Sequence, residues 1–182
     1  MANSSKDTQI DAARAAANGI NMLVTDVDGV LTEGKLMYSE QGESIKQFSI
    51  RDGLGIKLLA AAGIETAVIT GRGGAAVRRR CAELGIDKVI EQREDKRSAL
   101  AEMAAESGLA LSEIAYIGDD WPDLGAIIDS GFGVCVADAH QELVNRADWI
   151  TPSLGGQGAV RDLADFILKA KGLYETTLAK YL

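Results

Sequence analysis

The sequence predicts an α/β fold: a Rossmann-like, mainly parallel sheet with helices on both faces and one β-hairpin inserted near its start. Three observations carry this expectation. Short apolar runs alternate with helix-length amphipathic segments from Asn21 to Gly172, which is the rhythm of strand–helix–strand units. Polar residues with chemical potential gather just past several of those runs, where parallel α/β sheets bind ligands. One segment, Lys35 to Ile50, breaks the rhythm with two extended pieces around a polar, glycine-containing turn.

Taken along the chain, the first ten residues read as loose, and "DAARAAA" (Asp11 to Ala17) as a short helix ahead of the core. The strand Met22–Thr25 runs straight into "VTDVDG", two carboxylates one residue apart followed by a breaker. "KLMYSEQGESIKQFSI" then reads as the β-hairpin. A helix near Gly53–Ala62 leads to the strand Glu65–Thr70, which ends in "VITGR". The helix Ala75–Leu84 and the strand Lys88–Ile90 follow, and Lys96 opens the helix Lys96–Ser107. The strand Ile114–Ile117 ends in "YIGDDWPD", where Pro122 favours the start of a helix over Asp123–Ser130. Strands at Gly133–Val136 and Trp149–Ile150 alternate with helices at Gln141–Arg146 and Ala159–Ala170. The 182 residues suffice for one full core and not for two ordinary domains. The expected division is an N-terminal extension over 1–20, one domain over 21–172 with the hairpin at about 35–50, and a tail over 173–182.

Composition removes several classes of function. The balance is acidic, net −8, without a Lys/Arg-rich block, so sequence-independent binding to nucleic acid lacks its phosphate contacts. The cationic cluster "RGGAAVRRRC" reads as a solvated helix face unless a phosphate lies beside it. Cys81 and Cys135 fit neither a disulfide framework nor a zinc pattern. No stretch is long and apolar enough to span a bilayer, and the N-terminal residues do not have the pattern of a secretory signal. A reduced, cytoplasmic setting is expected.

The residues at the strand ends each have a bland reading. Thr70 could cap a helix, Lys96 could be a surface lysine, and Asp119 and Asp120 could cap the helix begun by Pro122. Together, at corresponding ends of parallel strands, they would converge on one edge, and chance is a poor account of that. Several carboxylates in one pocket repel unless a cation neutralises them, and oxygen ligands suit Mg²⁺. A carboxylate beside such a metal can attack phosphorus and form an aspartyl-phosphate. Thr70, Lys96 and amides after Gly71 can then hold the phosphoryl oxygens, and phosphoryl transfer depends mostly on such positioning and charge stabilisation.

"DVDGVLT", "ITGR", Lys96 and "GDDWPD" resemble, in order and spacing, the four motifs of the haloacid dehalogenase superfamily of phosphatases. "RDGLGIKLL", "VADAH", "RADWIT" and "GGQGAVRDL" extend the likeness to the 3-deoxy-D-manno-octulosonate 8-phosphate phosphatase family, from about Asn21 to Gly172. The resemblance implies Asp26 as nucleophile and Asp28 as the general acid that becomes the base. It implies Mg²⁺ held by Asp26, the Asp28 backbone carbonyl and Asp119. It implies phosphate and substrate contacts from Thr70, Gly71, Arg72 and Lys96, with Asp120 and Asp123 orienting Lys96 and metal-bound waters. No separate cap domain fits between the motifs, and a homotetramer built on paired hairpins, with Leu36 and Tyr38 at the contact, is implied in its place. The tail reads either as a frayed end or as an arm closing a neighbour's site.

The chain departs from the family pattern twice. Gly73 and Gly74 follow "ITGR" where a Ser is common, and "EQREDK" replaces a usual Gln-Gly before the lysine, which puts the identity of the sugar acid in question. His140, in "DAHQE", reads as a turn residue rather than a general base, and "GGQGAV" as a turn before the last helix. A related nonulosonate 9-phosphate is the alternative substrate. A phospho-acceptor signalling domain would lack the second acidic cluster after the lysine and the built-in Asp28. A non-catalytic assembly module would have eroded motifs.

Overall fold

In the computed structural model, which describes residues 2–40 and 42–182, six parallel strands form the central sheet. They are β1 (Met22–Thr25), β4 (Glu65–Ile69), β5 (Val89–Ile90), β6 (Ile114–Gly118), β7 (Phe132–Cys135) and β8 (Trp149–Ile150). Their spatial order is β5-β4-β1-β6-β7-β8. The sequence reverses direction at β1, which pairs with β4 on one side and β6 on the other. That reversal leaves a crevice beyond the carboxyl ends of β1 and its neighbours.

Every residue of β1 is buried, as a central strand covered on both faces requires. Leu23 packs on the side covered by helices α1 (Ala2–Asn18), α2 (Ile50–Ala61), α3 (Ala75–Leu84) and α7 (Ala159–Ala170). Met22 and Val24 point to the other side, under α4 (Lys96–Ser107), α5 (Leu124–Asp129) and α6 (Gln141–Val144), following the two-residue alternation of a strand. The α/β expectation is met, and most elements start or end within a few residues of their expected bounds. Helix α2 begins earlier than expected because Ser49 caps it, its hydroxyl accepting from the amides of Arg51 and Asp52.

The N-terminal expectation is corrected. Residues expected to be loose belong to α1, a helix of 17 residues. Ala13 and Ala17, four apart and so on one face, are buried in the core beside α7. Docking, together with an alanine-rich sequence of high helix propensity, accounts for the helix.

The inserted hairpin consists of β2 (Met37–Ser39) and β3 (Gly42–Ile45), antiparallel and separate from the main sheet. Gln41, between the two strands in sequence, lies outside the described residues. Met37, Tyr38, Ile45 and the nearby Ile50 are exposed, and Leu36 is half-buried. The tail is ordered rather than frayed through α8 (Tyr174–Leu178): Thr177 is buried and its hydroxyl donates to the carbonyl of Leu173.

Candidate active site

The strand ends converge as expected. A cleft of about 840 Å³ is lined by Asp26, Asp28, Thr70, Gly71, Arg72, Lys96, Asp119, Asp120 and Asp123, with Glu94 and Pro122 on its wall. All nine residues singled out from the sequence meet there.

Asp26 follows β1 directly, and its amide donates to the carbonyl of Ile117 on β6, so the ladder itself fixes the backbone of Asp26. Thr25 donates its hydroxyl to the Asp26 carbonyl. The chain then turns at Gly29, whose φ of +97° suits glycine. A Cβ there would meet Asp119 Oδ2 at 2.0 Å, so the turn admits the second acidic loop only because it carries no side chain. "GGQG" closes on the same turn: a Cβ at Gly155 would lie 1.7 Å from the Gly29 carbonyl oxygen, and Gly156 donates to the carbonyl of Val30. The motif is a turn before α7, as expected, and also a buttress under the β1 loop.

Lys96 is buried and reaches Asp26 Oδ1 at 2.9 Å and Asp123 Oδ1 at 2.7 Å. Burial pulls its pKa down, but the Asp123 and Asp26 carboxylates outweigh that and raise it, which favours the ammonium form. Asp123 is fully engaged. Oδ1 also accepts from the Tyr116 hydroxyl at 2.6 Å, and Oδ2 accepts from the amides of Asp119 and Asp120. It therefore holds both Lys96 and the loop that carries Asp119. Asp120 does not share the Lys96 contact; its carboxylate accepts from the Trp121 amide at 2.8 Å.

Asp26, Asp119 and Asp123 place carboxylate oxygens within 4.8 Å of one another. Burial, then Asp123, pushes the Asp26 carboxyl up to about 7 against the pull of Lys96. Burial, then Asp123 and Asp26, pushes Asp119 up to about 8. Such a cluster is poorly satisfied by protein alone and suits a hard cation with oxygen ligands. With Asp123 occupied by four donors, Asp26 and Asp119 are the side chains available to it.

Thr70 is buried at the end of β4, and its Oγ1 accepts from the Arg72 amide at 3.2 Å. That arrangement leaves the hydroxyl hydrogen to donate into the cleft. Three contributors had no sequence signal of their own: Tyr116, Glu91 and Lys46. Tyr116 looked like one more apolar strand residue. Glu91 carries the Gly73–Gly74 turn, with Oε1 accepting from the Gly74 amide at 3.0 Å and Oε2 from Arg78 at 2.7 Å. Lys46, at the base of the hairpin, forms an ion pair with Asp28 Oδ1; only tertiary contact reveals it. His140 acts as the turn residue expected, accepting at Nδ1 from Trp121 Nε1 and from the Glu142 amide.

Similarity to known proteins agrees with this geometry. The family model for haloacid dehalogenase-like hydrolases matches residues 85–161. The 3-deoxy-D-manno-octulosonate 8-phosphate phosphatase of Haemophilus influenzae is 44% identical over 153 residues, covering 84% of this chain and 85% of that protein. The chain belongs to the 3-deoxy-D-manno-octulosonate 8-phosphate phosphatase family. A crystal structure of the family's enzyme from Moraxella catarrhalis, in complex with magnesium, phosphate and KDO, superimposes with a TM-score of 0.92 at 40% identity. It covers 93% of this chain and 98% of that one. The cobalt-bound Haemophilus influenzae phosphatase gives a TM-score of 0.86 at 42% identity, covering 88% and 94%.

The two departures from the 3-deoxy-D-manno-octulosonate 8-phosphate phosphatase pattern have local explanations. Glu91 supplies the acceptor for the Gly74 amide that a Ser after "ITGR" could have provided. Arg93 turns to Glu102 on α4 and does not line the cleft. Gln92 adopts φ +57°, a left-handed conformation in which a glycine is at ease and a glutamine is strained.

Proposed function

We propose that this protein is a Mg²⁺-dependent phosphatase that hydrolyses 3-deoxy-D-manno-octulosonate 8-phosphate to the free sugar acid and phosphate. The observation that carries the reading is the Asp26–Lys96–Asp123 chain at the end of β1, facing Thr70 across a cleft open to substrate. Asp26 and Asp119, with the backbone carbonyl of Asp28, would hold Mg²⁺, which when bound neutralises the carboxylates and the phosphoryl charge. An Asp26 carboxylate oxygen bonds to phosphorus while the bond to the sugar oxygen breaks. Asp28 gives its proton to that leaving oxygen. Water then attacks the aspartyl-phosphate, its proton passes to Asp28, and Asp26 is regenerated as phosphate leaves. Lys96, Thr70 and the amides after Gly71 hold the phosphoryl oxygens, and Asp120 lies beside them on the cleft wall. Arg72, exposed on the cleft lining, adds a second cation to Lys96 among the acidic residues where an anionic sugar acid must enter.

A homotetramer is part of this reading. The hairpin exposes Met37 and Tyr38, at 53% and 66%, with Ile45 at 54%, and an isolated two-stranded ribbon is marginal in water. Pairing of hairpins between subunits would bury these residues and wall the open cleft, replacing a cap domain. The reduced thiols of Cys81 and Cys135, both buried, are consistent with a cytoplasmic setting. Residues 21–172 form the catalytic domain in this reading, with 1–20 an extension docked on it and 173–182 a tail.

Phosphate release from a panel of sugar-acid phosphates in the presence of Mg²⁺ tests the assignment. The 8-phosphate of the eight-carbon acid should give the highest kcat/KM, and a clear preference for a nonulosonate 9-phosphate would replace it with the alternative.

A further inference from the structure

From Glu91 to Arg97, every charged side chain but one is engaged. Glu91 holds the Gly74 amide and Arg78. Arg93 turns to Glu102, and Asp95 accepts from the Ser98 amide at 3.1 Å. Lys96 bridges Asp26 and Asp123, and Arg97 forks onto Asp129 at 2.6 and 2.9 Å. Glu94 is the exception. It is exposed and lines the cleft, and among the described residues no donor meets its carboxylate.

The segment that carries Glu94 is held at both sides. The Arg93 amide donates to the carbonyl of Thr70 at 3.1 Å, and the Glu94 carbonyl accepts from the Lys96 amide at 2.9 Å. Glu94 therefore stands between the two residues given the phosphoryl oxygens, in the same stretch, "EQREDK", in which the chain departs from the family pattern.

A free carboxylate in this cleft repels an anionic substrate, and Glu94 returns no contact to the protein in exchange. The other acidic residues of the lining have work: Asp26 and Asp119 for the metal, Asp123 for Lys96, Asp28 in its pair with Lys46, and Asp120 on the Trp121 amide. A carboxylate offers acceptors only, and a guanidinium offers donors only. A sugar-acid phosphate carries two anionic groups and, between them, hydroxyls that donate. The hydroxyls are the part that Glu94 can hold, and the sugar carboxylate is the part that Arg72 can hold.

We propose that Glu94 is a specificity-determining residue that accepts hydrogen bonds from hydroxyl groups of the sugar. The inference rests on the sugar-acid phosphatase reading above. The same carboxylate rewards a hydroxyl-rich leaving group and penalises phosphate esters without hydroxyls, so it selects by repulsion as well as by contact. Water competes at an exposed position, which keeps the effect moderate.

The test compares the 8-phosphate of the eight-carbon sugar acid with p-nitrophenyl phosphate, which has neither hydroxyl nor carboxylate. In Glu94→Ala, kcat/KM for the sugar-acid phosphate should fall about tenfold. The fall should come through KM, because the contact exists equally in the ground and transition states. For p-nitrophenyl phosphate, kcat/KM should hold or rise. Glu94→Gln, which keeps one acceptor oxygen without the charge, should lie between Glu94→Ala and the parent. Both variants should melt with the parent, since Glu94 makes no contact to lose.

An equal loss on both substrates would place Glu94 in the shared phosphate centre, an equal gain would make it only repulsive, and no change would leave it idle. Each of these overturns the inference, as does a melting temperature well below the parent's. The parent tests the underlying reading separately. If it does not prefer the sugar-acid phosphate to p-nitrophenyl phosphate, that reading fails and takes the inference with it. A preference that persists undiminished in Glu94→Ala removes the inference alone.

Discussion

Lys96 and Asp123 meet at 2.7 Å with both side chains almost fully buried, and Asp123 at the same time holds Tyr116 and two loop amides. Removing Asp123 would leave Lys96 with Asp26 alone and take the acceptor from Tyr116 and both amides, and breaking a buried pair from one side costs about 3–5 kcal/mol. Asp123→Ala should therefore lower stability by roughly that amount in urea unfolding, and should also reduce activity because the Asp119 loop loses its anchor. A variant as stable as the parent would show that Asp123 is only a bystander.

Asp26→Asn should behave in the opposite way. The amide cannot attack phosphorus, so turnover should be lost. The buried carboxyl it replaces is destabilised as an anion by burial and by Asp123, so the metal-free variant should be at least as stable as the parent at pH 8. Activity near the parent level in a folded sample would sink the nucleophile assignment.

The same carboxylates make stability depend on pH with a definite sign. Asp26 and Asp119 rise from 3.8 to about 7 and about 8 on folding, so between these values the native state binds more protons than the unfolded chain. Stability is then lost as pH rises through that window. Without metal, Tm should be higher near pH 5 than near pH 8. Added Mg²⁺ should raise Tm more at pH 8 than at pH 5, since the cation competes with protons for the same oxygens. Calorimetry at the two pH values, with EDTA or Mg²⁺, checks both statements; a metal-free Tm that climbs steadily from pH 5 to 8 would contradict them.

Gln92→Gly should stabilise the protein by roughly 1 kcal/mol, because it removes a side chain from a left-handed conformation. The residue is exposed and is not among those lining the cleft, so kcat should change little. A drop in denaturation midpoint would mean that the Gln92 side chain makes a compensating contact.

The hairpin gives the assembly prediction. Tyr38→Glu places a charge in the exposed apolar strip of β2, and should shift sedimentation from a tetramer toward smaller species while leaving the monomer fold intact. Selectivity among sugar-acid phosphates should fall with it. A parent protein that sediments as a fully active monomer at micromolar concentration would remove the assembly model.

Several features of this protein were decided by the sequence by itself. The alternation of apolar runs and amphipathic segments dictates a parallel sheet, because a strand buried on both faces has to be continuously apolar. The break of that pattern at Asp26, Thr70 and Asp119 marks the carboxyl edge, where the sheet ends and charge becomes tolerable. Strand–helix connectivity brings those ends together, so the nine cleft residues were legible before any coordinates. The extent of α1 was not, since alanines carry little pattern and the helix depends on docking Ala13 and Ala17 against α7. Nor was the partnership of Asp123 with Tyr116, because a tyrosine in a strand gives no sign of where its hydroxyl ends. Glu91 supports the Gly73–Gly74 turn from seventeen residues away, and Lys46 meets Asp28 from eighteen. Those contacts depend on how loops pack across the sheet edge. Periodicity in a chain reports which face a residue occupies; it carries no information about which distant side chain will stand opposite it, and only the tertiary structure decided that.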